Sequence, residues 1–158
     1  MSINAKPIIL WDNLLGREGA ALTATSFDPD HPVEYLADWR EYLTWQAGSA
    51  SPQDLELDLG YTRAADTLAI YNHNLHSAGV ASTALYGSDN GADWTEIITH
   101  APASDAPILK TFGEVSFRYF KLALSASSDP AEIGLLFLGG RLAFPSWPAA
   151  GFDPNPEE

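Results

Sequence analysis

The sequence predicts an all-β protein, an antiparallel β-sandwich of the jelly-roll kind, on three observations. The stretch DLELDLG, Asp54 to Gly60, alternates leucine with carboxylate, the period of a strand with one buried and one wet face. Similar short apolar runs recur along the chain, separated by Gly, Asn, Asp and Pro. Helical spacing shows at Leu36, Trp39 and Leu43 alone and supports a turn or two at most. Roughly eight short strands with almost no helix leave a two-layer β architecture as the natural way to bury the apolar faces.

After Asp54 to Gly60 comes Ala64 to Tyr71, with Leu68 and Ile70 on one face and Ala69 and Tyr71 on the other. Val80 to Ser88 and Trp94 to Thr99 flank Asp89-Asn90-Gly91, whose Asn-Gly pair tolerates the positive φ of a tight hairpin. Trp94, just past that turn, is placed in the core. Val115 to Ser125 puts Phe120, Leu122 and Leu124 on one face, with Arg118 in the same register. Ala131 to Phe144 is apolar on both faces through Leu138, as in a strand covered on each side, and Gly139-Gly140 marks a bulge or bend. The whole reads as one domain over 1–144 with a short N-terminal arm, followed by a Pro-rich acidic tail over 145–158.

Composition narrows the function classes. Hydrophobic residues make up 46% and charged residues 18% of the 158, which is the composition of a chain that buries a core. Lys and Arg number 8 against 21 Asp and Glu, for a net charge of -13, so a phosphate backbone or an anionic membrane would be repelled. The absence of cysteine removes disulfides, thiolate metal sites and thiol nucleophiles. The early apolar run, Ile8 to Trp11, is too short for a signal-peptide core or a membrane span, and synthesis in the cytoplasm is expected.

The segment NHNLHSAG, Asn72 to Gly79, concentrates polar chemistry. His73 and His76 are spaced for a helix, whereas the sequence places them at a strand-to-turn corner, and a zinc ion would need a third protein ligand. The simpler reading is that Asn72, His73 and Asn74 satisfy backbone groups in a polar bend. In Gly87-Ser88-Asp89-Asn90-Gly91 the serine stands second rather than third, which departs from the nucleophile elbow. With 21 acids, chance carboxylate pairs are expected, so no catalytic residue is assigned. No cofactor and no metal are assigned either, although Asp28 and Asp30 could share a calcium ion with backbone carbonyls.

Sugars offer apolar C–H faces and hydroxyl edges, so a saccharide site pairs an aromatic platform with a few fixed polar groups. Trp39, Arg40, Tyr42 and Trp45 supply both kinds, and Trp39, Arg40 and Tyr42 with His73, Asn74 and His76 make up the candidate ligand-binding set. The competing reading makes Trp45 and Trp39 plugs of the core.

Taken together, ALTATS at Ala21 to Ser26, the aromatic pair Trp39 and Trp45, the strand ending Asp58-Leu59-Gly60, SDNGADW and FRYFKLAL resemble the galactose-binding-like β-sandwich family, the discoidin or factor 5/8 type C domain. The resemblance runs from about Leu22 to Leu142. The insert His73 to Gly79 is similar to the version of this domain in tailed-bacteriophage virion proteins. That resemblance implies a non-enzymatic component of a phage tail tip, baseplate or fibre. Its partners would be other virion proteins and host-surface glycan, in multiple copies around a symmetric assembly, made in the host cytoplasm and ending in the virion. The alternative is a stand-alone carbohydrate-binding accessory module, or a remnant hydrolase, acting by itself on polysaccharide, although such modules normally ride on a catalytic domain, for which the chain has no room.

Overall fold

The computed structural model describes residues 8–40 and 42–144. The predicted tail over 145–158 and the start of the N-terminal arm lie outside these residues. Eight strands appear among the described residues: β1 (Ile8–Asn13), β2 (Ala21–Ala24), β3 (Trp45–Gln46), β4 (Gln53–His73), β5 (Thr83–Ser88), β6 (Thr95–His100), β7 (Ile108–Leu124) and β8 (Glu132–Ala143). Two 3-10 turns, Leu14–Gly16 and Val33–Ala37, are the helical content of these residues, and no helix among them is long and apolar enough to cross a membrane. All ladders are antiparallel, in the order β1-β8-β4-β7-β5-β6, with β2 added to β4 and β3 to β8.

Strand β4 builds both layers. Its first part, Gln53 to Asp58, pairs with β2 and with the end of β7, which in turn pairs with β5. Its last part, Thr67 to His73, pairs with β8, and Thr67 to Ile70 also pair with the start of β7. The ladder breaks between Asp58 and Arg63, where Gly60 takes φ +73, a left-handed conformation that costs glycine nothing. Two strands predicted from the sequence are therefore one strand of 21 residues, bent where the alternation stops.

The two layers face each other through leucine. Leu55, Leu57 and Phe120 from one and Leu68, Leu136 and Leu138 from the other line a common interior, and each such side chain contributes about 1.5–3 kcal/mol when fully buried. The alternation in DLELDLG is realised: Leu55, Leu57 and Leu59 are buried, while Asp54 and Asp58 lie on the far face and meet Lys121 and Arg118. Trp45 is wholly buried and plugs the core; Trp39 is exposed.

Three expectations need correction. Strand β7 begins at Ile108 rather than Val115, because Ile108 to Thr111 pair with Ile70 to Thr67. Trp94 is half-buried outside the core cluster, with the Lys121 ammonium 4.4 Å from its ring centroid. The bulge anticipated at Gly139-Gly140 falls on the partner strand: Leu10 faces Arg141 and Asp12 faces Gly140, so Trp11 is the extra residue. Gly139 lets β1 approach, since a Cβ there would stand 1.7 Å from the Asp12 carbonyl oxygen.

Candidate functional site

Strand β4 delivers Tyr71 and Asn72 to one end of the sandwich. Leu68 and Ile70 point into the core, so Tyr71, one residue on, faces outward and is 41% exposed. Asn72 takes φ +52, a region asparagine enters more easily than most residues. It packs against Gly134 of β8, where a Cβ would come within 2.9 Å of its side-chain nitrogen. Asp105 and Pro107 come from the loop before β7, and Tyr42, 75% exposed, stands opposite. These five residues line an open cleft of about 540 Å³, within the size of small-ligand pockets.

The polar bend beneath the cleft is scaffolding. His73 is buried, its Nε2 lies 3.0 Å from the Ala106 carbonyl, and its Nδ1 accepts the Leu75 N–H at 3.3 Å, which fits the Nε2–H tautomer. Burial pushes its pKa below the usual histidine value. Asn74 donates to the Pro130 carbonyl at 3.1 Å and accepts the Glu132 N–H at 2.7 Å, clamping the bend to β8. Leu75, fully buried, anchors the turn, which closes through Ala78 N–H to the Asn74 carbonyl. His76 is exposed, with Nδ1 3.1 Å from the Pro102 carbonyl.

Asp105 ties the loop before β7 to this bend: its Oδ1 accepts the N–H groups of His76 at 2.8 Å and Ser77 at 3.1 Å. Hydrogen bonding from Ser77, then from His76, holds its carboxyl below the ordinary aspartate value, so it is ionised at neutral pH.

Of the six residues picked from sequence, Tyr42 lines the cleft. Arg40 is committed to Asp38 through bonds of 2.9 and 2.5 Å, which lower the Asp38 pKa to about 2, and its guanidinium lies 6.0 Å from the Tyr42 ring centroid. Trp39 is exposed outside the cleft lining. His73 and Asn74 serve the backbone, and His76 sits behind Asp105. Sequence reasoning passed over Tyr71 and Asp105 as ligand groups. The outward parity of Tyr71 was the available signal; Asp105, in a loop, gave none.

Two other candidates resolve locally. Ser88 is buried and its Oγ accepts the N–H groups of Asn90 and Gly91, so it shapes the hairpin. Asp28 Oδ1 accepts the Asp30 N–H at 2.9 Å in its own turn, and no cluster of three or more His, Asp or Glu suited to a metal occurs among the described residues.

No curated protein sequence matches the chain. Solved structures share its fold at low identity. A GH29 fucosidase of Ruminococcus gnavus in complex with fucose is 14% identical with a TM-score of 0.73 over 83% of this chain. The match spans 27% of the fucosidase, about a quarter of its length. CpGH89CBM32-5 from Clostridium perfringens, in complex with GalNAc-β-1,3-galactose, is 18% identical with a TM-score of 0.66, over 77% of this chain and 95% of that one. A chitosan-binding module from a Paenibacillus sp. chitosanase/glucanase, in complex with chitotriose, is 16% identical with a TM-score of 0.70, over 81% of this chain and 100% of that one. The family model for the F5/8 type C domain matches residues 21–137, most of the chain, and so the protein belongs to the F5/8 type C domain family.

Proposed function

We propose that the protein is a carbohydrate-binding module that holds a saccharide in the Tyr42–Tyr71 cleft. The observation that carries this reading is the pairing of two exposed tyrosines with Asn72 and ionised Asp105 around one open cleft. Phenol rings take the C–H faces of a pyranose, and the amide and carboxylate take its hydroxyls. Among the described lining residues Asp105 is the one carboxylate, whereas two-acid glycoside hydrolysis uses a pair of acids across the bond, and binding is the reading taken. The saccharide complexes of the Clostridium and Paenibacillus modules support the same class of ligand.

The test is calorimetry of the folded chain against a panel that includes chitotriose and GalNAc-β-1,3-galactose. At least one saccharide should bind, and Tyr42→Ala or Tyr71→Ala should weaken it about tenfold or more, the loss of roughly 1.4 kcal/mol. Wild type that binds nothing on the panel, or binding untouched by both substitutions, would overturn the reading.

A structural role in a phage virion is the second reading. Its support is the exposed apolar edge formed by Ile9, Leu142 and Phe144, the kind of surface that meets another protein. The neighbours named above are glycan-related proteins and lend it no weight. Ile9→Asp should abolish a self-association or tail-protein contact seen by sedimentation; its absence in wild type would remove this reading.

A further inference from the structure

A second cleft, of about 210 Å³, opens where β1 bulges beside the bend region of β4. Its walls include Trp11, Asp12, Asp66, Glu114, Gly140 and Arg141. The bulge pushes Trp11 out of the ladder, and the indole is 68% exposed. A Cβ on Gly140 would meet Trp11 Nε1 at 3.3 Å, so the glycine is what lets the indole lie close against the strand.

Opposite the indole the polar groups are fixed. Arg141 donates through Nη1 to the Asp66 carbonyl at 3.2 Å and to Thr67 Oγ1 at 3.5 Å, and its Nε lies 3.7 Å from Asp66 Oδ2. Asp66 Oδ1 accepts from Thr67 Oγ1 at 2.8 Å, and Asp12 is paired with Arg17. The side chains of Arg141 and Asp66 are 26% and 21% exposed, so most of their freedom is already lost before a ligand arrives. Glu114 is exposed and makes no ion pair among the described residues.

We propose that this cleft is a second saccharide subsite, in which Trp11 takes the face of a pyranose while Arg141 and Asp66 bind its hydroxyls. An indole is the largest aromatic platform available, and fixed charged groups beside it set orientation. Three carboxylates against one guanidinium in the walls select a neutral or amino-bearing sugar over a uronic acid. The proposal rests on the saccharide reading of the Tyr42–Tyr71 cleft.

The experiment titrates wild type, Trp11→Ala, Trp11→Phe and Tyr71→Ala with chitotriose, GalNAc-β-1,3-galactose and a galacturonate trisaccharide. It follows calorimetric stoichiometry, indole N–H resonances and sedimentation. The expected result is two sites in wild type and one in each alanine variant. The Trp11 resonance should shift on binding, Trp11→Phe should weaken its subsite about tenfold or less, and the uronate should be excluded. Loss of all binding in Tyr71→Ala, with Trp11→Ala unchanged from wild type, would overturn the subsite and leave the first cleft standing. Wild type that binds no sugar would remove both. A Trp11→Ala variant altered in sedimentation but not in sugar binding would replace the subsite with a contact between copies.

Discussion

Arg118 of β7 meets Asp58 of β4 through two parallel hydrogen bonds of 2.9 Å, and Asp58 Oδ1 takes a third, of 2.7 Å, from the Gly60 N–H. The pair sits where β4 leaves one layer for the other, so it staples the bend.

The Arg118 guanidinium, then the Gly60 N–H, holds Asp58 below the usual aspartate pKa. A carboxylate depressed in the folded state stabilises above its unfolded pKa, near 3.9, and that contribution fades as pH falls through the folded value. Both side chains are more than a third exposed, so solvent screens the pair and its contribution is small. Asp58→Asn should lower the melting temperature by a few degrees at most at pH 7, with a smaller difference from wild type at an acid pH below the unfolded carboxylate value. Thermal melts at both pH values check it.

Gly87 of β5 faces the Phe117 ring, and a Cβ there would stand 2.1 Å from it. Phe117 in turn packs edge-on against buried Phe120 with centroids 6.0 Å apart, so it has little room to retreat. Gly87→Ala should cost about 1–3 kcal/mol by overpacking. Phe117→Leu in the same chain should restore part of that loss, which a double-mutant cycle by urea denaturation will measure.

His73 is held neutral by burial, against the opposing pull of the Ala106 carbonyl and of Asp105. The unfolded chain takes up a proton below about pH 6.5 while the folded chain resists it, so acid favours unfolding until the folded pKa is passed. His73→Gln should melt lower than wild type at pH 7 and lose less between pH 7 and pH 5. An NMR titration should show the wild-type His73 ring titrating below the usual histidine value.

Asn72 provides a way to separate fold from binding. Its φ of +52 suits glycine without backbone strain, so Asn72→Gly should lose the side-chain packing against Gly134 but keep the backbone path, and on the saccharide reading should weaken affinity as well. Asn72→Val should cost about 1–2 kcal/mol, since a branched side chain is crowded in the left-handed region. Melting and calorimetry on both variants distinguish the two effects.

The layers were legible from sequence because leucine at every second position states directly which face is wet. The hairpin at Asn90-Gly91 was legible for the same local reason, and Gly91 indeed takes φ +71. The cleft was only partly legible. Tyr42 and the polar bend were singled out, yet the pairing of Tyr71 with Asp105 depends on a loop folding back to place a carboxylate on the His76 and Ser77 amides. That contact joins residues 29 and 28 positions apart, and no periodicity encodes it. Trp94 was misplaced because an aromatic beside a turn has the same sequence appearance whether it enters the core or lies under a lysine.

Asn13, at the end of β1, donates to the Leu136 carbonyl and accepts the Leu138 N–H, the latter from 125 residues away. Closing so long a loop costs more than pairing neighbouring strands, so β1 is expected to dock after the other strands have assembled. Substitutions at Asn13 should accordingly speed unfolding while leaving the refolding rate almost untouched, making this seam the kinetic latch of the molecule.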